Sequence, residues 1–477
     1  MIDFRCALLL LLASAAADVT KTPADRGVVS AGGGQGAPTF VSDPGVLADN
    51  EGLHLFFSNI FCAKAGAWYF SWDPADVGGC NIMNATYGIG YAFSADAGVT
   101  WEYAPGPAIT PGPAAWDAAA VETPFARVVN GTLHVFYSAR GVGADGKTEF
   151  RSRYQVGVAT LALRGRTLRD ALLRDGEGCA KRAAPLLPHN LVAPNALDNN
   201  VQEPSAVWND EPPGWEIFAI GLGLALPAAP IDGRPGQRVT GLHALRYTFP
   251  GGALPAGVGG GVGGVGSAAV PAPTVMTTDA PVNIIEVRKY GAGEYHMWGT
   301  SIVGGNEYHQ NESLVHATSS DGLTWTGAAA TALAPDGAGS VAFDDWGIMA
   351  PTVAVLPDAS NTTVLLYSAW QLQGSPCLPV PSDGRFGEPL SAGRCCLSNI
   401  GRAVVTDAPP TPPPPPPTFK CLGSQCVAAA SGVSKAVCES ACVVEQLYQC
   451  VASTCSPAST GVPQATCKAI CGPDVHA

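Results

Sequence analysis

The sequence is poor in charged residues. Only 14% of its 477 residues are charged, and 26 Lys and Arg stand against 39 Asp and Glu, which leaves a net charge of −13. Such a chain lacks the basic surface that binds a nucleic-acid backbone, so a nucleic-acid partner is excluded. It also lacks a helix-period stretch long enough to rival a β fold. No serine-hydrolase elbow, zinc-protease helix motif or P-loop is present.

Glycine and proline are abundant instead. The 57 Gly and 41 Pro accompany 47% hydrophobic residues, which allows a large core and excludes disorder over most of the chain. This composition favours many short strands that are joined by tight turns. The predicted fold class is therefore all-β.

The N-terminus predicts export. A short basic start is followed by a leucine run and by small residues that end at Ala17, which is the pattern of a signal peptide over residues 1–17. The apolar run is shorter than the ~18 residues of a membrane-spanning helix. We expect cleavage after Ala17 and a secreted, extracellular protein with no membrane span. Four N-glycosylation sequons agree with this route: Asn84, Asn130, Asn311 and Asn361.

The C-terminus combines a proline-rich segment with a cysteine repeat. Residues 408–418 include a run of prolines and predict a semi-rigid linker. Residues 419–477 hold two cysteine-rich units, in which Cys450 follows Cys421 by 29 residues and the spacing x4, x11, x3 recurs. Disulfide-stapled modules are predicted rather than zinc sites, because interleaved histidines and Cys-x2-Cys pairs are missing. A sugar- or wall-binding role and a plain stabilising role both stay open for this tail.

One phrase of sequence recurs five times between residues 38 and 407. An acidic or apolar residue near a proline opens an apolar strand, a polar turn follows, and an aromatic strand ends in Ser or Gly. A further strand of Gly and small residues completes each repeat. Radial repetition of four-stranded sheets is typical of a β-propeller. We therefore predict a five-bladed β-propeller over 38–407, after an N-terminal lead-in at 18–37.

Two turns carry a further motif. Residues 94–101 fit the Asp-box pattern Ser-x-Asp-x-Gly-x-Thr-Trp, and residues 319–325 fit a shortened version. In such a turn the Asp caps the backbone, the Gly takes a positive φ and the Trp packs between sheets. The motif is structural, so these residues are not candidate site residues.

On these residues the chain resembles the five-bladed propeller glycoside hydrolases of the arabinanase, xylosidase and fructosidase group, families 43 and 32. The resemblance depends on the five-fold phrase, on Asp43-Pro44 in the first repeat and on Glu203-Pro204 in the third. It implies a funnel at one face of the propeller, lined by inward-facing carboxylates. By this resemblance Asp43 is the base or nucleophile, Glu203 is the acid, and Glu122 of the second repeat is the third carboxylate.

The chemistry of glycoside cleavage explains the three carboxylates. One carboxyl must be protonated to release the leaving oxygen, and another must be ionised to activate water or to attack the anomeric carbon. A third negative group raises the pKa of the acid.

Glu122 departs from the family pattern. It is a Glu where Asp is usual, and it lies two residues before its proline, whereas Asp43 and Glu203 lie directly before theirs. Side chains alternate along a strand, so this offset can turn Glu122 to the other face. An exchange of roles between Glu122 and Glu203 also stays open.

Aromatic residues are candidates for the walls of a sugar site, because aromatic faces stack on sugar rings. Packing is the competing explanation for each of them. The candidate substrate-binding residues are Trp72, Trp116, Asp117 and Trp346.

The cysteines of the propeller region predict bridges. Cys62 with Cys80 is the first choice, and Cys377 with Cys395 or Cys396 is the second. Cys179 and the remaining member of the adjacent pair are then left as candidate partners.

The predicted function is that of a secreted glycoside hydrolase that acts as a monomer on a poly- or oligosaccharide. The alternative is a non-catalytic glycan-binding propeller with a wall- or sugar-binding tail. We expect no cofactor and no catalytic metal. A structural Ca²⁺ in the propeller channel stays open, and His316 is a candidate ligand of a central metal.

Overall fold

The computed structural model describes most of the region between Asp18 and Thr406, together with four short strands near the C-terminus. The residues that it describes are 18–22, 27–30, 41–62, 70–71, 80–81, 85–113, 116–141, 154–189, 200–224, 239–252, 254, 270–301, 312–336, 344, 347–357, 362–371, 397–406, 418–422, 425–429, 448–451 and 454–457.

The described chain is almost entirely β-structure, with one short helical segment at Asp170–Arg174. In chain order the strands are β1 Asp18–Lys21, β2 Val29–Ser30, β3 Val41–Asp49, β4 Gly52–Cys62, β5 Phe70–Ser71, β6 Cys80–Asn81, β7 Ala85–Ser94, β8 Glu102–Tyr103, β9 Ala120–Val129, β10 Thr132–Arg140, β11 Gln155–Ala162, β12 Ala180–Lys181, β13 Asn200–Asp210, β14 Pro213–Leu224, β15 Val239–Pro250, β16 Thr274–Val275, β17 Thr277–Thr278, β18 Val282–Gly291, β19 Glu294–Ser301, β20 Ser313–Ser319, β21 Thr324–Trp325, β22 Thr331–Leu333, β23 Gly347–Val355, β24 Thr363–Gln371, β25 Leu397–Thr406, β26 Thr418–Leu422, β27 Gln425–Ala429, β28 Tyr448–Val451 and β29 Thr454–Pro457.

The long strands form antiparallel meanders, which we number as sheets one to five. Sheet one is β3-β4-β7-β8 and sheet two is β9-β10-β11-β12; a single parallel pairing, of Tyr87 with Ala120, joins the two. Sheet three is β13-β14-β15-β16, and sheet four is β18-β19-β20-β22. Sheet five is β23-β24-β25-β1, with β2 also paired to β25. Each meander begins with a strand from the first half of the repeated sequence phrase.

The first strands of these sheets contact one another in a closed cycle. β3 contacts β9, β9 contacts β13, β13 contacts β18, β18 contacts β23, and β23 returns to β3. Buried apolar clusters fill the spaces between consecutive sheets, including the space between sheets five and one. The hydrophobic faces of the strands are therefore buried against neighbouring sheets, as in radial packing.

The N-terminal lead-in is part of sheet five. β1 pairs with β25, with Asp18 opposite Thr406, and β2 pairs with the other end of the same strand. The Lys21 ammonium contacts Asp336 at 2.7 Å and the fully buried Asp344 at 2.6 Å. Strands from both ends of the first unit thus form one sheet, and β1 and β2 both lie within the predicted lead-in at 18–37.

The two Asp-box turns have the expected local geometry. The Asp96 carboxylate accepts the N–H and the hydroxyl of Thr100, while Gly98 takes a φ of +85°. Asp321 accepts the N–H of Thr324 in the same way, and the following Trp325 is buried between sheets. Both motifs are peripheral hairpins that stabilise the packing of the sheets.

The chain divides into two compact units, Met1–Pro412 and Pro413–Ala477. In the second unit β26 pairs with β27, and Cys421 lies opposite Cys426. β28 pairs with β29, and Cys450 lies opposite Cys455. The first two cysteines of each repeat unit therefore lie opposite each other on a short hairpin.

The cysteine predictions for the first unit have one outcome. Cys179 is a free thiol, packed against the core between sheets one and two, and burial raises its pKa to about 12. Its predicted pairing with the adjacent pair Cys395–Cys396 is therefore wrong. The side chains of the other predicted bridges lie outside the described residues.

Within the part of the chain that the structure describes, no helix is long and apolar enough to cross a membrane.

Candidate active site

Each first strand of the five sheets contains a bulge, and one bulge residue has a left-handed backbone. These residues are Asp43, Thr123, Glu203, Ile284 and Ala350, with φ of 46°, 49°, 57°, 44° and 50°. Residues with side chains rarely adopt such angles, and each costs on the order of 1–3 kcal/mol unless its surroundings hold it. A proline follows the bulge residue in four of the five strands, the exception being Ile284.

Hydroxyl groups of the preceding sheet hold most of these residues in place. Ser368 Oγ accepts the N–H of Asp43 at 2.6 Å, so that sheet five holds sheet one. Ser138 Oγ accepts the N–H of Glu203 at 2.7 Å. The same arrangement joins Ser58 to Thr123 at 2.8 Å and Thr300 to Ala350 at 3.0 Å. A ring of hydrogen bonds therefore fixes the bulges relative to one another.

Residues of all five bulges line one open pocket. Two of the carboxylates predicted from the sequence, Asp43 and Glu203, line it together. The full lining is Asp43, Pro44, Thr123, Pro124, Phe125, Glu203, Pro204, Ile284, Ile285, Glu286, Ala350 and Pro351. A concave site with apolar walls and a few convergent carboxylates has the character of a ligand-binding or catalytic site.

Glu203 is buried, and both of its carboxyl oxygens accept hydrogen bonds. Oε1 accepts from the side-chain amide of Gln202 at 2.9 Å, and Oε2 accepts from the N–H of Ile284 at 3.1 Å. Burial raises the pKa of Glu203 to about 8, and the negative charge of Asp43 adds to this effect. The Ile284 N–H opposes the rise in pKa, while the charges of Glu122 and Glu312 favour it. Burial and the neighbouring charges thus favour the neutral form of Glu203, which is the form that a general acid requires.

Asp43 is also buried and receives local hydrogen bonds. The hydroxyl of Ser42 donates to its Oδ2 at 3.0 Å, and its backbone is held by Ser368. The negative charge of Asp43 raises the pKa of Glu203, so the two carboxyls of the pocket interact electrostatically.

Glu122 lies one residue before the bulge, and its neighbour Thr123 takes the position equivalent to Asp43 and Glu203. Its carboxylate oxygen Oε1 lies 3.2 Å from Nε of the buried Arg140. Arg140 in turn contacts the rings of Tyr87 and Tyr154. Glu122 is thus beside the pocket rather than on its wall, and its charge reaches Glu203 from there.

Glu286 is a carboxylate of the pocket wall that the sequence reasoning missed. It lies two residues after the sheet-four bulge residue Ile284, and it accepts hydrogen bonds from Arg288 and from the N–H of Val353 at 3.2 Å. The signal was available, because residues two apart on a strand face the same side. Because Arg288 pairs with it directly, Glu286 differs from Glu203 in its electrostatic surroundings.

Two of the four predicted substrate-binding residues, Trp116 and Asp117, lie among the described residues and contact other parts of the protein. The ring of Trp116 stacks on Tyr137 at 6.2 Å, and its indole N–H donates to the carbonyl of Ala183. Asp117 is buried and pairs with Lys181 at 2.7 Å. Neither residue is among those that line the pocket. Trp72 and Trp346 lie outside the described residues.

Two arginines follow pocket residues along their strands. Phe125 and Glu286 line the pocket, and two residues further along the same strands come Arg127 and Arg288. Burial and the charge of Arg288 lower the pKa of Arg127 to about 10. Ca²⁺ takes oxygen ligands, which guanidinium groups do not supply, and the structural Ca²⁺ of the sequence analysis stays a prediction.

His316, the candidate metal ligand, lies on β20, the third strand of sheet four. Its Nε2 is 3.0 Å from Nδ1 of His296, and burial lowers its pKa to about 4. Among the described residues no group of three or more His, Cys, Asp or Glu is arranged to hold a metal ion.

No family model matches the chain, and no curated protein matches it. Solved structures do resemble it. An N-acetylgalactosamine deacetylase from F. plautii, in complex with blood group B trisaccharide, is 13% identical, with a TM-score of 0.47 over 81% of this chain and 95% of that one. A GH43_1 enzyme from Xanthomonas citri is 14% identical, with a TM-score of 0.42 over 78% and 91%.

Fructan 1-exohydrolase IIa from Cichorium intybus is also similar. It is 17% identical, with a TM-score of 0.41 over 77% of this chain and 56% of that one. The TM-scores of all three structures lie below 0.5. The chemistry of this chain therefore has to be read from its own residues.

Proposed function

We propose that the protein is a secreted glycoside hydrolase, built on a five-bladed β-propeller, that cleaves a poly- or oligosaccharide with a pair of carboxyl groups. One observation carries the proposal: Asp43 and Glu203 line the same pocket, and the surroundings of Glu203 raise its pKa to about 8. Glycoside cleavage needs this division into a protonated acid and an ionised partner.

The five-bladed architecture is supported by the contacts of the first strands. They form a closed cycle of five, and equivalent bulges in all five surround the pocket. The hydrogen bond from Asp43 N–H to Ser368 Oγ closes the cycle between the first and last sheets. Radial repetition of this kind leaves only short, protected strand edges.

In the proposed reaction Glu203 donates its proton to the glycosidic oxygen as the bond from that oxygen to the anomeric carbon breaks. Asp43 is the ionised partner of Glu203. It either removes a proton from the water that attacks the anomeric carbon or itself bonds to that carbon. In the second case water then releases the sugar, with Glu203 taking the proton of that water. The two routes give opposite anomers as first product, which NMR of the fresh product distinguishes. Neither route requires a cofactor.

The compartment and the tail are part of the same proposal. Strand β1 begins at Asp18, so cleavage after Ala17 leaves this strand whole. Secretion also suits the two cysteine-rich hairpins, whose facing cysteines match an oxidising environment. N-terminal sequencing of the protein recovered from medium tests the cleavage site, and mass spectrometry of non-reduced peptides tests the bridges.

The decisive test of function is sugar release from a panel of arabinan, xylan, fructan and galactan. We expect one of these to be cleaved by the wild-type protein, and Asp43→Asn and Glu203→Gln to lose the activity. Glu177→Gln is the matched control, because Glu177 is a surface carboxylate in an ion pair with Arg166. Binding of a glycan without release of sugar by the wild-type protein would instead identify a glycan-binding propeller.

A further inference from the structure

The hydroxyl ring around the pocket has one gap, at Ile220. Hydrogen bonds from bulge N–H groups reach Ser368, Ser58, Ser138 and Thr300 on the second strands of sheets five, one, two and four. On the second strand of sheet three, the register places Ile220 at the equivalent position, opposite Gln202. The side chain of Ile220 offers no hydrogen-bond acceptor.

Ile220 is fully buried in the apolar cluster between sheets three and four, where Ile285 also lies. A hydroxyl at position 220 would accept the backbone N–H of the next bulge residue, Ile284. A buried N–H without an acceptor costs about 1–3 kcal/mol, so another group has to accept it. In this structure the acceptor is Oε2 of Glu203, at 3.1 Å.

We propose that Ile220 is a positioning residue for Glu203: by leaving the Ile284 N–H without a hydroxyl partner, it makes the Glu203 carboxyl the acceptor and so holds that carboxyl at the pocket. Only the catalytic consequence of this proposal depends on the proposed glycoside hydrolase activity. The structural part concerns one hydrogen bond, which can be measured without any sugar.

Both carboxyl oxygens of Glu203 accept an N–H group. Oε2 accepts from Ile284 at 3.1 Å, and Oε1 accepts from the side-chain amide of Gln202 at 2.9 Å. The Ile284 bond ties one of the two oxygens to the backbone of sheet four, and the Gln202 bond ties the other to sheet three. The gap in the hydroxyl ring thus adds a second fixed contact to the carboxyl.

Two substitutions of nearly equal shape test this. Ile220→Thr adds the missing hydroxyl, and Ile220→Val has the same branching without it. The readout is the amide proton shift of Ile284 in protein labelled with ¹⁵N-isoleucine, followed through a pH titration. In the wild type we expect this amide to titrate with the midpoint of Glu203, near the pKa of about 8. Glu203→Gln should abolish that titration and so confirms its source.

The Val variant should titrate like the wild type, whereas the Thr variant should lose the titration, since its hydroxyl accepts the Ile284 N–H. Titration that persists unchanged in the Thr variant would overturn the proposal, as would an amide insensitive to Glu203 in the wild type. If the Thr variant fails to fold, Ile220→Ser against Ile220→Ala repeats the comparison with smaller side chains.

The catalytic consequence has its own readout. On a substrate that the wild type cleaves, Ile220→Thr should lower kcat by about tenfold to a hundredfold relative to Ile220→Val, with KM little changed, because the acid is no longer held in line. Equal kcat values for the two variants would overturn this consequence. Absence of all glycan cleavage by the wild type would contradict the proposed function and leave the amide titration as an independent result.

Discussion

The hydroxyl oxygen of Ser138 accepts the backbone N–H of Glu203 at 2.7 Å, across the boundary between sheets two and three. Ser368 makes the same contact with Asp43 at 2.6 Å, across the boundary between sheets five and one. Both pocket carboxylates predicted from the sequence therefore belong to residues with a positive φ, and a hydrogen bond to a neighbouring sheet stabilises each backbone. The placement of the candidate acid and base depends on contacts between sheets.

Ser138→Ala and Ser368→Ala should weaken both stability and catalysis. Each leaves a buried N–H unsatisfied, which costs about 1–3 kcal/mol of unfolding free energy in a urea titration. Each also frees a strained backbone that carries a carboxylate, so kcat should fall. The matched controls are Ser58→Ala and Thr300→Val, which remove the equivalent bonds to Thr123 and Ala350. A fall in kcat of equal size in the controls would show that the effect is only structural.

The pH dependence of kcat/KM should have a basic limb with a pKa near 8. Burial and the charge of Asp43 raise the pKa of Glu203 to this value, and a general acid must be protonated to act. Activity therefore falls as the pH rises through this value. Glu203→Gln should lose about 10²–10⁴-fold in kcat on substrates with poor leaving groups. Aryl glycosides with acidic phenols should lose much less, and an equal loss on both would contradict the acid role.

Asp43→Asn should lower the pKa of Glu203. The negative charge of Asp43 disfavours ionisation of Glu203, and the amide removes that charge with little change of shape. The measurement is a ¹³C NMR titration of the Glu203 carboxyl, compared with Glu177→Gln as a control of equal charge change. A pKa unchanged in Asp43→Asn would mean that the two carboxyls do not interact.

Glu203 should destabilise the fold as the pH rises. Its pKa is about 8 in the folded protein against an ordinary value of 4.5, so between these values the folded state keeps a proton that the unfolded state has lost. The unfolding free energy attributable to this group therefore falls across that window. Relative to wild type, Glu203→Gln should gain about 5 kcal/mol between about pH 4 and pH 9. Parallel stability curves for the two proteins would contradict the raised pKa.

Arg140 and Glu122 should behave as a coupled pair. Both side chains are largely buried, so Arg140→Met should cost about 3–5 kcal/mol by leaving the Glu122 carboxylate without its cation. Adding Glu122→Gln should recover much of that loss, which a double-mutant cycle in urea measures. Glu122→Gln alone should also lower the pKa of Glu203, whose ionisation the Glu122 charge disfavours. Additive losses would mean that the pair is not coupled.

Much of the strand pattern follows from local sequence. The strands of the repeated phrase all lie in β-strands of the structure, and both Asp-box turns are held by hydrogen bonds within a few residues. The 29-residue cysteine repeat likewise appears as two hairpins with facing cysteines. These features depend on side-chain alternation and turn chemistry, which act over short distances.

The residue before the proline marks the bulge position in four of the five repeats, whether or not that residue is acidic. Thr123, directly before Pro124, takes the bulge position in sheet two, whereas the acidic residue Glu122 lies one place earlier. A shift of one residue along a strand moves a side chain to the other face. Alignment of the repeats by their prolines places Glu122 one residue before the bulge position of Asp43 and Glu203.

The sequence by itself determined the strands, the turns and the carboxylates available at the strand starts, because all three depend on neighbours in the chain. Only the tertiary structure decided which carboxylates share a pocket and raised the pKa of Glu203. Glu286 enters the pocket wall, and the Ile284 N–H reaches Glu203, through contacts between sheets that are far apart in sequence. The high pKa of Glu203 has the same origin, since burial and the nearby charge of Asp43 arise only when the sheets assemble.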